Sequence, residues 1–159
     1  MRTIVLGLGN ELLADDGAGL LAARALRKEL GDAADVVECD VSGMALLEIL
    51  SGYDRAFIID TICRGAQPPG TVVELAADEL GSVIAPSPHY AGLPEVMAVA
   101  KELGLPFPSE IRVFAIEALD SVTIGGKLSE PVRDGISGLV SLIKRHFDMA
   151  DIENPGVVN

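Results

Sequence analysis

Apolar and polar positions along the chain alternate between two textures. Thr3-Ile4-Val5-Leu6 is β-branched and almost wholly apolar, the pattern of a strand buried on both faces. From Asp16 onward Leu20, Leu21, Ala25 and Leu26 recur near helical period, with Arg24, Arg27 and Lys28 late in the run and Gly31 placed to cap its end. Asp35 to Cys39 reads as a second strand ending at Asp40. Ser42 is the expected N-cap of a helix carrying Met44, Leu46, Leu47, Ile49 and Leu50. Ala56-Phe57-Ile58-Ile59 is a third strand, ending at Asp60. Pro68-Pro69-Gly70 then turns the chain into a short edge strand, Thr71 to Leu75.

Pro86-Ser87-Pro88-His89 leads into a helix from about Gly92 to Leu103. Ile111 to Ile116 is another strand, followed by Glu117 and a glycine-containing loop. A last helix covers about Glu130 to Phe147, with Ser129 as N-cap and Pro131 in its first turn. Within it Gly135 and Gly138 lower helix propensity and admit close packing. His146, beside Lys144 and Arg145 near that predicted end, is expected to face the negative end of the helix dipole.

Strands alternating with helices predict a three-layer α/β/α sandwich around a mostly parallel, mixed, five-stranded twisted sheet. One domain, residues 1–147, is expected to hold it, with residues 148–159 as a flexible tail. In such folds ligands sit beyond the carboxyl ends of the strands. That rule puts Asn10, Asp16, Asp40, Asp60 and Glu117 on one rim.

Composition narrows the partners. A formal charge of −12 argues against nucleic acid, whose phosphates demand Lys and Arg. Cys39 and Cys63 are too few for a disulfide framework and lack zinc-site spacing. No segment approaches the roughly 18 apolar residues of a membrane span, and the first apolar run, about Thr3 to Leu8, is too short for the apolar region of a signal peptide. The chain reads as a soluble cytoplasmic protein.

The turn "GLGNELLADDG", Gly7 to Gly17, resembles a dinucleotide loop only in part. Leu12 stands where the fingerprint needs its third glycine, and carboxylates crowd the place of the pyrophosphate. "GGKLS" at Gly125 to Ser129 has the wrong order for a P-loop, and no serine-nucleophile elbow exists. Cys63 with His89 is a conceivable thiol–imidazole pair without a local signal. Asp15 is the expected helix cap, which leaves Asp16 to face the rim. Taken singly, Asp60 is a strand-end acid that bonds the following turn, and His89 a loop histidine satisfied by carbonyls. Taken jointly, Asp16, Asp60 and His89 make an oxygen and nitrogen set suited to a divalent transition ion.

These residues resemble the hydrogenase maturation proteases over essentially the whole chain. "IVLGLGNELLADDGAG" is similar to the family's opening segment, with its acid at Asp16. "FIIDTICRGAQPPGT" resembles the second, with its acid at Asp60, and "SPHYAGL" the third, with its histidine at His89. The resemblance implies an endopeptidase that removes the C-terminal extension of a nickel-iron hydrogenase large-subunit precursor after nickel insertion. Asp16, Asp60 and His89 then meet nickel that arrives with the substrate, and no permanently bound cofactor is expected. Asn10, Asp40 and Glu117 are candidates for supporting or peptide contacts. Some relatives carry Glu at the position of Asp16 and Glu-Ser where this chain has Glu117-Ala118. A non-catalytic nickel-binding or delivery module on the same fold is the alternative.

Overall fold

The computed structural model describes residues 1–76, 79 and 92–153, with side chains through Met149. Strand β1, Thr3–Leu8, is buried along its whole length, as its unbroken apolar run requires. It feeds a 3-10 turn, Ala14–Gly17, and helix α1, Ala18–Leu30, which stops at Gly31 with φ +51°. Next come β2, Asp35–Cys39, the short helix α2, Ala45–Leu50, and β3, Arg55–Ile62. Strand β4, Val72–Ala76, precedes α3, Leu93–Glu102, and β5, Glu110–Glu117, leads to the long helix α4, Glu130–Glu153.

The sheet order is β2-β1-β3-β5-β4. All pairings are parallel except β4 against β5, which is antiparallel and places β4 on an edge. The α/β class and the mixed five-stranded sheet are therefore as the sequence predicts.

Alternation along the strands sorts side chains into two cores. Ile4, Leu6, Leu8, Ala56 and Ile58 pack with Leu46 and Leu50 of α2 and Leu93 and Val96 of α3. Val5, Phe57, Ile59 and Phe114 pack with Ala22 and Leu26 of α1 and Leu139, Val140 and Ile143 of α4. Phe57 and Phe114 are fully buried and meet edge to face at 5.6 Å. Burying each such ring contributes about 1.5–3 kcal/mol.

Helix α1 lies close to β1 because the contact positions are small. A Cβ on Gly7 would fall 2.6 Å from both Ala23 Cβ and the Gly19 carbonyl, and one on Gly19 would fall 2.2 Å from the Leu8 carbonyl. The glycines of the opening turn thus admit a helix, and Gly7 belongs to the strand itself.

Several local expectations change. Strand β3 runs two residues past Asp60, because Thr61 and Ile62 continue the ladder to Ile116 and Glu117 of β5. Met44, not Ser42, holds the N-cap position of α2, and among the described residues no side chain caps it. Helix α1 begins at Ala18, after the 3-10 turn, and has no side-chain cap from Asp15 or any other of the described residues. Helix α4 continues six residues beyond Phe147, so His146 is not at its end. That histidine instead meets Glu74 at 3.3 Å and packs on Phe57 and Phe114. Gly135 does admit a close approach, since its Cβ would meet the Gly70 carbonyl at 2.4 Å, whereas a Cβ on Gly138 would meet nothing within 4 Å among the described residues.

Candidate active site

The strand order reverses between β1 and β3: the connection from β1 leads outward to β2, while β3 lies on the other side. A crevice opens beyond the carboxyl ends at such a switch point. The pairing of β1 with β3 stops at Gly7 and Ile59, so Asp60 is the first residue of β3 beyond that ladder. Its backbone stays in register with Ala115 of β5, and its side chain is fully buried.

Gly9 bends the chain off β1 with φ +149°, and its amide donates to the Cys39 carbonyl at 3.1 Å. A Cβ there would fall 2.0 Å from the Asp16 carbonyl, so only glycine lets the turn close over the 3-10 segment. The turn delivers Asp16 to the end of β3. One oxygen of Asp16 accepts the Asn10 amide at 2.9 Å, and the other accepts the Thr61 hydroxyl at 3.0 Å. The Thr61 amide in turn donates to Asp60 Oδ1 at 2.8 Å. Thr61 therefore links the two carboxylates, its hydroxyl holding one and its amide the other. Sequence reasoning passed over Thr61, although its place directly after a strand-end acid was the available signal.

The adjacent aspartates point to different tasks. Asp15 is fully buried, and among the described residues its carboxylate bonds only to the segment between β5 and α4. Its Oδ2 accepts the amides of Leu119 at 2.9 Å and Asp120 at 3.0 Å and the Ser129 hydroxyl at 2.9 Å. Its Oδ1 accepts the Ser129 amide at 2.6 Å. The expected helix cap is thus a long-range staple, and nothing within its own turn could have announced partners more than a hundred positions away.

The other rim candidates stand to either side. Asp40 is exposed after β2 and lines a cleft of about 320 Å³ with Asn10, Glu11, Leu12, Glu38 and Cys39. Arg24 bonds both Glu11 and Glu38 across this cleft, and Arg27 adds a second cation at Glu38. Burial pushes the Glu38 carboxyl up, but the bonds from Arg27 and Arg24 outweigh it and hold it below the ordinary carboxylate value. Burial also pushes the Cys39 thiol up, which keeps it protonated and unreactive near neutrality. Cys63 is exposed just past β3.

Glu117 closes the opposite side, at the end of β5 beside Ile62. Its Oε1 accepts the amides of Arg64 at 2.7 Å and Gly65 at 2.6 Å, which fixes the exit of β3. Its Oε2 is buried and has no hydrogen-bond partner among the described residues.

His89 and the Pro86-to-His89 stretch lie outside the described residues, four positions before α3 begins at Leu93. Among the described residues no three His, Cys, Asp or Glu side chains gather to hold a metal ion. The site thus brings together Asn10, Asp16 and Asp60, with Asp40 and Glu117 on its flanks. A larger hollow of about 650 Å³ lies between α1 and α4, but its lining includes neither Asp16 nor Asp60.

Comparison with known proteins decides the family. The family model described as hydrogenase maturation protease matches residues 20–146. The chain belongs to the hydrogenase maturation protease family. It is 32% identical over 149 residues to the hydrogenase expression/formation protein HupD of Rhizobium leguminosarum bv. viciae, covering 91% of this chain and 73% of the relative. It is 31% identical over 120 residues to the hydrogenase 2 maturation protease of Escherichia coli K12, covering 73% of each. Among solved structures, the hydrogenase maturating endopeptidase HybD from E. coli superposes with a TM-score of 0.81 at 27% identity, over 94% of both chains. The [NiFe] hydrogenase maturation protease HybD from Thermococcus kodakarensis gives 0.74 at 32% identity, over 91% of this chain and 98% of that one.

Family membership makes this chain an endopeptidase, a hydrolase of peptide bonds. The family match takes in Asp60 and position 89 and begins just after Asp16. No helix among the described residues is long and apolar enough to cross a membrane.

Proposed function

We propose that this endopeptidase removes the C-terminal extension of a nickel-iron hydrogenase large-subunit precursor, and that Asp16, Asp60 and His89 recognise nickel already carried by that substrate. The observation that carries the reading is the Asp16–Thr61–Asp60 linkage at the β1/β3 switch point, where two carboxylates are held by separate donors of one residue. Such a pair has the hard oxygen donors that a divalent ion accepts, and His89 adds the imidazole that suits nickel.

Hydrolysis needs water delivered to the scissile carbonyl and a proton returned to the leaving nitrogen. Water oxygen bonds to the carbonyl carbon, the C–N bond breaks, and the new amine takes up the proton that water gave. Asp16 and Asp60 serve this by orienting the substrate's metal beside the carbonyl, which polarises it, and by accepting a proton from the attacking water. Asn10 and Thr61 hold Asp16 in place. Asp40 is exposed and lines the neighbouring cleft, which supports a role for it against the peptide rather than the metal. No cofactor of the protein's own is required, and the metal leaves with the mature subunit.

The test is processing of a nickel-loaded precursor by Asp16→Asn, Asp60→Asn and His89→Ala, with circular dichroism confirming the fold of each. Each substitution is expected to lower the rate by at least about 10²-fold, the scale of losing a general base or an electrostatic stabiliser. Wild-type rates from any two would remove the three residues from the mechanism.

A further inference from the structure

Two loops on the carboxyl side of the sheet are joined to each other, and together they show solvent an unusual amount of apolar surface. Leu13 and Ile124 form an antiparallel bridge between the β1–α1 loop and the β5–α4 loop, and the Gly125 amide donates to the Leu12 carbonyl at 2.7 Å. The Asp15 amide donates to the Asp120 carbonyl at 2.7 Å, and the Asp15 carboxylate gathers Leu119, Asp120 and Ser129. Asp120 Oδ1 accepts the amides of Val122 and Thr123, each at 3.0 Å. The backbone from 119 to 126 is thus pinned from within.

Its apolar side chains stand in solvent. Leu119 is 60% exposed, Val122 77% and Ile124 82%, with Leu12 at 67% on the partner loop. Asp120 is the one charged residue between Ala118 and Gly126, and it is turned to the backbone. Single exposed apolar residues are ordinary, but several on one rigidly held loop pair mark a surface that another molecule covers. A pinned backbone also lowers the ordering cost of binding.

We infer that Val122 and Ile124, flanked by Leu119 and Leu12, are the docking surface for the folded body of the protein substrate, against which the scissile segment is laid. The occupant follows from position. Leu12 lines the cleft beside Asn10 and Asp40, and Asp15, which pins the docking loop, is the immediate neighbour of Asp16. The Asp16 amide donates to the carbonyl of Leu13, the residue bridged to Ile124, at 2.9 Å, so the loop pair borders the place a polypeptide must reach. A short, extended peptide needs no such surface, whereas a folded precursor with an apolar patch beside its extension does. The matching surface on the substrate is apolar and next to the cleavage point. This assignment rests on the proposed protein substrate and adds the means of its recognition.

The experiment uses full-length protein, wild type and the double variant Val122→Ser/Ile124→Ser, with Val122→Asp as a second variant. Both substituted side chains are in solvent, and thermal melts within about 2 °C of wild type would establish that the fold is kept. Binding to immobilised nickel-loaded precursor and single-turnover processing are measured separately. The double variant is expected to bind at least about tenfold more weakly, about 1.4 kcal/mol. Its processing rate at saturating precursor should stay within about twofold of wild type, and Val122→Asp should bind more weakly still. Unchanged affinity in both variants would overturn the assignment, as would failure of wild type to bind the precursor. A wild-type dimer in sedimentation velocity that the double variant abolishes, with precursor affinity unchanged, would assign the surface to a second copy instead. Binding without any shortening of the precursor would count against the protease substrate reading and leave the docking surface standing.

Discussion

Replacing Asp15 or Asp16 with Asn should give opposite phenotypes, although the two residues are neighbours. At Asp15 four donors converge on one buried carboxylate: three amides and one hydroxyl. Asn can keep its oxygen toward Leu119, Asp120 and the Ser129 hydroxyl, but its NH₂ then opposes the Ser129 amide, which sits 2.6 Å from Oδ1. One bond to a charged acceptor is lost, a donor is left facing a donor, and the rest lose their charge. A hydrogen bond to a charged group contributes about 1.5–3 kcal/mol and an unsatisfied buried donor costs about 1–3 kcal/mol. Relaxation of the loop offsets part of this, so Asp15→Asn should destabilise by about 2–3 kcal/mol.

Asp16→Asn differs because one of its partners can reverse. The Thr61 hydroxyl can accept from the new NH₂ while the Asn oxygen keeps the Asn10 amide, so the change should cost less than Asp15→Asn. Urea denaturation with a common m-value measures both. At about 2–4 °C per kcal/mol for a chain of this size, Asp15→Asn should melt about 4–12 °C lower. Processing should survive in Asp15→Asn below its melting range and disappear in Asp16→Asn. An Asp15→Asn change under about 0.5 kcal/mol, or Asp16→Asn proving the less stable of the two, would refute the division of labour.

Gly9→Ala should abolish a stable fold or lower stability by more than about 2 kcal/mol, because the new methyl meets the Asp16 carbonyl at 2.0 Å; melting temperature reads it. Gly138→Ala, in α4 with nothing within 4 Å, should instead stabilise by up to about 1 kcal/mol in the same assay. Glu117→Ala strips the acceptor from the Arg64 and Gly65 amides and should cost about 1–3 kcal/mol in urea titration. Burial raises the Glu74 carboxyl, but hydrogen bonds from Arg112 and His146 outweigh it, so its folded value lies below the ordinary 4.5. A depressed folded pKa gives stability that is present above the unfolded value and lost as pH falls through the folded one. Wild type should therefore lose stability below pH 4.5 more steeply than Glu74→Gln, and parallel curves there would contradict the pairing.

The sheet was legible because each strand is a short apolar run, and the positions of β1, β2, β4 and β5 follow from those runs. Strand ends were less so. Asp60 looked like a terminus because a carboxylate interrupts the run, yet pairing with β5 carries β3 to Ile62. The end of α4 was misjudged for a similar reason, since Asp148 breaks the apolar pattern without breaking the helix. At the site, Asp16 and Asp60 could be placed on one rim from topology alone, because the loop that leaves β1 and the far part of β3 lie on the same edge of a parallel sheet. Thr61 as their link, Asp15 as a staple and the Glu117 clamp could not, because each depends on partners distant in sequence that only the folded backbone brings within hydrogen-bonding reach.

The central claim is that cleavage waits on nickel carried by the substrate. Intact-mass spectrometry of the precursor, nickel-loaded or nickel-free, after incubation with wild-type protein and with Asp16→Asn, tests it most directly. The account predicts loss of the C-terminal extension only from nickel-loaded precursor and only with wild type. Equal shortening of the nickel-free precursor by wild type would contradict it.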